Sequence, residues 1–374
     1  MTPAELSRTV LRSVRGAVEE QELSVAVPAR IVVQPPPRPG CGDYASNVAL
    51  QLAQQAGRPA HEVAEILRKR LSGSAGIARV EIAGPGFLNF TLGDGAQVAL
   101  VREVLALGDG YGGGPAAGQS PVTTAPATGP ATDQATGSAT APAAHTETDP
   151  ATAPASNARA AVVAEALARI DAAAGLGGRR VADGQPVLAP APYDLATLIA
   201  RLGVDEARWV LLRPAAQDPV RVPERLVQRE SNPRFRVQYA YARARALGRH
   251  ARDLGFGSEP GDVGAPVRGQ VADDGPSDGA GSAAQALKSF HTLLATYPSA
   301  VESAARLRAP DRVVRHLEAT ADAFFRWHDV YPPLPVGEQK PLAVHRARLA
   351  LAEAGRTVLA NGLRLLGISA PEHL

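Results

Sequence analysis

Asn232-Pro233-Arg234-Phe235-Arg236-Val237-Gln238-Tyr239-Ala240-Tyr241-Ala242-Arg243, continuing through Ala244-Arg245-Ala246-Leu247-Gly248-Arg249-His250-Ala251-Arg252, decides the fold of the C-terminal half. An Asn side chain can accept from the free N–H groups of a first helical turn, and Pro is preorganised for the first helical position. The pair therefore predicts a long helix over about 233–254. Arg234, Gln238, Tyr241, Arg245, Arg249 and Arg252 follow one another at steps of four or three residues, which places all six on one face. Phe235, Tyr239, Ala242 and Ala246 lie on another face and read as its core side.

Outward from this helix the pattern stays helical. Residues 255–283 are a Gly/Asp/Ser/Pro-rich insertion, expected to be mobile, and helices are predicted near 284–297, 299–307, 311–330 and 341–366. Phe324, Phe325, Trp327 and Tyr331 read mainly as core. Toward the N-terminus, Asp194 can cap a short helix ending at 202, a second runs over 204–212, and helical spacing starts at 158. Together these make an antiparallel all-α helical bundle.

Residues 112–157 carry Gly, Pro, Ala, Thr and Ser with hardly a bulky apolar side chain, too little to offset chain entropy, so a disordered Ala/Thr/Pro linker is expected there. Residues 1–111 read as a compact α+β domain. Thr2-Pro3-Ala4-Glu5 is a capping-box opening, Ile31-Val32-Val33 is a β-branched run, and helices are predicted over 44–56 and 59–71. Strands over 77–82 and 87–92 flank Gly84-Pro85-Gly86, and a helix runs over about 96–107. The expected organisation is an α+β domain at 1–111, a linker at 112–157, a helical connector at 158–231 and a bundle at 232–374 interrupted at 255–283.

The 374 residues carry a net charge of +2, and the charge is uneven. Residues 158–254 hold 16 Arg and no Lys against 10 Asp and Glu. Only Lys69, Lys288 and Lys340 are lysines, so nearly all basic charge is the planar guanidinium that suits bidentate phosphate contacts, although a base-composition bias gives the same preference. Cys41 is the single cysteine, which excludes an intramolecular disulfide and a Cys-rich zinc cage. Charges throughout the first 20 residues argue against a signal peptide, and no stretch approaches the roughly 20 apolar residues of a membrane span. A soluble, cytoplasmic protein with no membrane contact is expected. His328 has no second ligand at metal spacing, and Gly112-Gly113-Gly114 lacks a following helix and a Lys-Ser/Thr pair, so neither a metal nor a phosphate loop is expected.

Three blocks carry a family likeness. Gly42-Asp43-Tyr44-Ala45-Ser46-Asn47-Val48-Ala49-Leu50, with Val80-Glu81-Ile82-Ala83-Gly84-Pro85-Gly86-Phe87-Leu88-Asn89-Phe90, resembles the additional N-terminal domain of arginyl-tRNA synthetases. Asn232-Pro233 with Val237-Gln238-Tyr239-Ala240-Tyr241-Ala242-Arg243 resembles the opening helix of that family's anticodon-binding (DALR) bundle, where His commonly stands in place of Tyr241. Leu359-Ala360-Asn361-Gly362-Leu363 through Leu366-Gly367-Ile368-Ser369-Ala370-Pro371-Glu372 is similar to the family's C-terminus, which usually ends in Met rather than Leu374.

What the resemblance implies is tRNA as partner, arginine tRNA in particular. It implies an anticodon-arm surface at Arg234, Gln238, Tyr241, Arg245, Arg249 and Arg252, and a D-loop surface at Phe87 and Asn89. Guanidiniums suit phosphates, an aromatic ring stacks on an unpaired base, and an amide reads a base edge. A solvated charged helix face and a half-buried strand are the competing structural readings. Asp43, Tyr44 and Asn47 read as helix start and packing. The chain has no His-x-Gly-His tetrapeptide, its only Met is Met1, and no Lys lies between Lys69 and Lys288, so the ATP-binding signatures of the family are missing. The expectation is accordingly a truncated relative without catalytic domain, catalytic residues or cofactor: a non-catalytic tRNA-binding protein. Two alternatives stay open, a module docking on a synthetase or on an enzyme that uses aminoacyl-tRNA, and an ATP-dependent arginine–tRNA ligase.

Overall fold

A computed structural model describes residues 1–36, 41–93, 95–113, 155–176, 186–224, 229, 231–265 and 278–373. An α+β N-terminal region is followed by a helical C-terminal part. The predicted linker at 112–157 lies almost wholly outside the described residues.

Helix α1 (Pro3–Glu19) starts as its capping box dictates: the Glu5 amide donates to Thr2 Oγ1 at 3.3 Å, and the Thr2 amide donates to the Glu5 carboxylate at 2.8 Å. Its Leu6, Val10, Val14 and Ala17 stripe is fully buried. Strands β1 (Tyr44–Ser46), β2 (Ile77–Ala83) and β3 (Phe87–Leu92) form an antiparallel sheet in the order β1-β3-β2. The register places Phe90 opposite Tyr44 on one side and Val80 on the other. Leu88 and Phe90 are fully buried on the face covered by helices α2 (Val48–Ala56) and α3 (Ala60–Leu71). The expected helix over 44–56 therefore gives up its first three residues to β1. The 31–33 run makes no strand; only Gln34 bridges to Ala45. Gly42 must be glycine at its φ of +87°, because a Cβ would sit 2.7 Å from the Phe90 carbonyl oxygen.

Helix α4 (Ala96–Leu107) closes this region and packs on the C-terminal helix. The helical part comprises α5 (Ala155–Ala173), α6 (Leu195–Leu212), α7 (Pro233–Asp253), α8 (Asp278–Leu307), α9 (Asp311–Val330) and α10 (Ala343–Leu366). Asp194 caps α6 through the Thr197 amide at 2.7 Å, and Gly203, at φ +76°, breaks α6 where two separate helices are predicted. Pro298 does not end α8, which runs through the predicted boundary at 298. Helix α10 is buried along nearly its whole length and touches α4, α5, α7 and α9. Phe290, Phe324 and Trp327 stack in the core, Phe290 and Trp327 at 5.2 Å between ring centres.

Residues 255–265 correct the expectation of a mobile insertion for that stretch. Phe256 and Val263 are buried, and Arg348 Nε on α10 donates to the Val263 carbonyl at 3.1 Å. The remainder up to 277 lies outside the described residues.

Candidate nucleic-acid interface

Helix α7 starts as Asn232-Pro233 predicts, with Asn232 Oδ1 accepting from the Phe235 amide at 3.2 Å. The six-residue face of α7 does not reach solvent as a unit. Arg234 and Gln238 are buried, and Tyr241 is 6% exposed. Arg234 Nε donates to the Glu206 carboxylate on α6 at 2.6 Å, while its Nη1 donates to Gln238 Oε1. Gln238 Nε2 donates to Asp205 and to the Ser369 carbonyl, each at 2.9 Å. Arg245 is half-buried, pairs with Glu372 at 2.7 Å and donates to the Tyr241 hydroxyl at 3.3 Å. Arg249 is half-buried, with its Nη1 enclosed, and only Arg252 is exposed. Of the six, Arg234 and Gln238 are enclosed because α6 and the C-terminal tail pack over them, and the stripe reaches solvent fully at its C-terminal end.

The other α7 face, read as core, is half-buried and aromatic. Phe235 stacks on Tyr239 at 6.0 Å and Tyr239 on Phe325 of α9 at 5.4 Å, with the Arg236 guanidinium 4.8 Å from the Phe325 ring centre. Arg236 also donates to Asp322 at 2.5 Å. Sequence reasoning missed this row because the periodicity separates two faces of α7 without saying which one α6 covers.

Phe87 and Asn89 share the sheet face opposite Leu88 and Phe90, since successive strand residues alternate. Phe87 is 40% exposed, whereas Asn89 is 8% exposed and sits mid-sheet between Ala45 and Glu81. The structure leaves a ring available there and largely encloses the amide. Of the three residues read as helix start and packing, Asp43 accepts from the Leu92 amide at 2.9 Å, Tyr44 is buried, and Asn47 precedes α2 without a side-chain cap bond.

Where the N-terminal region meets the bundle there is a cavity of about 450 Å³, lined among others by Asp43, Tyr44, Asp262, Lys288 and His291. Lys288 Nζ is spent on Asp43 at 3.0 Å and the Gly42 carbonyl at 2.9 Å. His291 is buried, its Nδ1 within 3.0 Å of the Leu287 carbonyl and its Nε2 without a hydrogen-bond partner among the described residues. Burial pushes its pKa down to about 4, so the ring is neutral at pH 7. Among the described residues no group of three or more His, Cys, Asp or Glu could hold a metal ion, and no helix is long and apolar enough to cross a membrane.

Comparisons with known proteins match both ends of the chain. Residues 8–92 match the arginyl tRNA synthetase N terminal domain, and residues 237–374 match the DALR anticodon binding domain. An arginine–tRNA ligase of Frankia alni is 26% identical, covering 100% of this chain and 100% of that protein over 568 aligned positions. An arginine–tRNA ligase of Pseudarthrobacter chlorophenolicus is 42% identical over 189 residues, 48% of this chain and 31% of the ligase. In fold, the chain is similar to Thermus thermophilus arginyl-tRNA synthetase, with a TM-score of 0.62, 14% identity and full coverage of both chains.

These matches correct the expectation of a non-catalytic chain that is not an enzyme. The Frankia alni ligase corresponds to this chain along the whole of both, so missing signatures do not make it a non-catalytic chain. With one family domain at each end and a ligase aligned across the whole, the chain belongs to the arginyl-tRNA synthetase family.

Proposed function

We propose that the chain works in arginyl-tRNA formation as an ATP-dependent arginine–tRNA ligase, in the cytoplasm, with tRNA as its macromolecular substrate. The alignment to a ligase from end to end carries this reading. It is supported by surfaces of the right chemistry for folded RNA: the exposed Phe87 ring at the start of β3, and the exposed Arg252 of α7. An exposed ring suits stacking on an unpaired base, and guanidiniums suit phosphates.

The chain has 374 residues against 568 aligned positions; the His-x-Gly-His tetrapeptide is not in it, and no Lys lies between Lys69 and Lys288. Arginine activation is the step to test first. Arginine-dependent exchange of labelled pyrophosphate into ATP, run on the purified chain with and without tRNA, tests it. Exchange that requires arginine supports the ligase; no exchange under either condition counts against it. A titration of tRNA at rising salt tests the RNA surfaces, because phosphate contacts make log affinity fall linearly with log salt.

A further inference from the structure

The N-terminal region does not hang from the bundle by a tether alone. Its last described residues are built into it. The Tyr111 hydroxyl donates to the Leu294 carbonyl of α8 at 2.9 Å, and the Tyr111 ring stacks on Tyr297 at 6.1 Å between centres. Asn361 of α10 uses one amide twice, donating to the Gly108 carbonyl at 2.9 Å and the Tyr111 carbonyl at 3.1 Å. Tyr111, Tyr297 and Asn361 are all at most 4% exposed. Gly112, at φ +90°, lies so close that a Cβ would fall 2.3 Å from Tyr297 Cε1. Around this buried centre lie ion pairs on the rim: Lys288 with Asp43 at 3.0 Å, Arg364 with Asp109 at 3.2 Å, and Arg30 with Glu302.

The centre and the rim contribute differently. Exposed ion pairs add little, whereas a buried amide or hydroxyl that loses its partner costs free energy directly. A seam whose centre is polar and buried therefore has one favourable orientation, since any slip orphans the Asn361 amide and the Tyr111 hydroxyl. An apolar seam would tolerate sliding.

We propose that Asn361 and Tyr111 are positioning residues that lock the sheet face bearing Phe87 and the emergent end of α7 into one rigid RNA-binding unit. The proposal rests on the tRNA reading above. Its consequence is that a folded RNA spanning both surfaces meets them at a fixed separation, instead of capturing them one after the other on a loose chain. Joining two weak contacts raises affinity only when the geometry permits both at once.

The test uses the full chain as wild type, Asn361→Leu and Tyr111→Phe, the second keeping the stacked ring and removing only the hydroxyl. Affinity is measured for whole tRNA and for an isolated anticodon-arm hairpin, which can reach one surface only. Asn361→Leu is expected to weaken whole-tRNA binding about tenfold, a fraction of the gain that linked sites give, and Tyr111→Phe to weaken it less, with hairpin affinity within about twofold of wild type for both. Equal losses for tRNA and hairpin would reduce these residues to general structural roles and overturn the proposal. So would variants that bind both RNAs like wild type, which would leave the tRNA reading standing. A wild-type chain that binds neither RNA overturns both readings together.

Discussion

Arg234 Nε and the Glu206 carboxylate meet at 2.6 Å with neither side chain more than 8% exposed, which makes this pair of α7 and α6 an interior ion pair. Asn232 Nδ2 donates to the same carboxylate at 2.8 Å, and Gln238 extends the network to Asp205 and the C-terminal tail. Removing one member of such a pair leaves the other charge buried and uncompensated. Arg234→Met should lower the unfolding free energy by about 3–5 kcal/mol in a denaturant titration. Arg252→Ala, on an exposed residue of the same stripe, should change stability by less than about 0.5 kcal/mol while reducing the slope of log affinity against log salt by about one unit. The reverse pattern would show that the stripe has been divided at the wrong point.

Arg159 of α5 is a second buried guanidinium, and it holds carbonyls in place of a carboxylate. It donates to the carbonyls of Leu211, Ala189, Ala216, Asp218, Pro214 and Ala215 at 2.8–3.2 Å, gathering the end of α6, the loop after it and the segment before it. Arg159→Met leaves these acceptors without their donor and should cost about 3–5 kcal/mol. Arg159→Lys keeps the charge but not the planar fork, and should recover only part of the loss. Equal stability of the lysine variant and wild type would mean that charge, not the fork, holds this loop.

The burial of His291 predicts an acid limb in the stability profile. Its pKa lies near 4 in the folded chain against an ordinary value of 6.5, so the unfolded chain binds its proton first as pH falls. The stabilisation is fully present above about pH 6.5 and is lost as pH drops toward 4, to an extent of about 3 kcal/mol. Denaturant midpoints measured from pH 7 to 4 should therefore fall more steeply for wild type than for His291→Gln. Parallel profiles would contradict this assignment.

Two glycines of α10 are there for packing. A Cβ at Gly355 would lie 2.5 Å from Phe290 Cζ, and one at Gly362 would lie 2.4 Å from Leu317 Cδ2. Alanine raises helix propensity but overpacks both positions. Gly355→Ala and Gly362→Ala should each destabilise by about 1–3 kcal/mol. A rise in melting temperature for either would show that the neighbouring side chain yields freely.

These same places show how far the chain could be read without coordinates. Local signals carried the elements: Thr2 with Glu5 started α1, Asp194 started α6, and Asn232-Pro233 started α7. Pro298 misled because the helix continues through it, with packing overriding the local penalty. Tyr44–Ser46 misled because three residues become a strand only when Phe90 is opposite. Burial within the candidate site was hidden at the same level. Arg234 and Gln238 look like solvent-facing residues because their acidic partners, Glu206 and Asp205, lie more than 25 residues upstream. The seam at Tyr111 and Asn361 joins residues 250 positions apart, beyond any periodicity.

Charging of tRNA is the decisive measurement for the proposed ligase activity. Purified chain is incubated with ATP, labelled arginine and total tRNA, and acid-stable label on tRNA is followed with time. Label is expected only with ATP and arginine, in excess of one equivalent per protein, and is lost on mild alkaline treatment that hydrolyses aminoacyl esters. Absence of label from a chain that binds the same tRNA would contradict that activity.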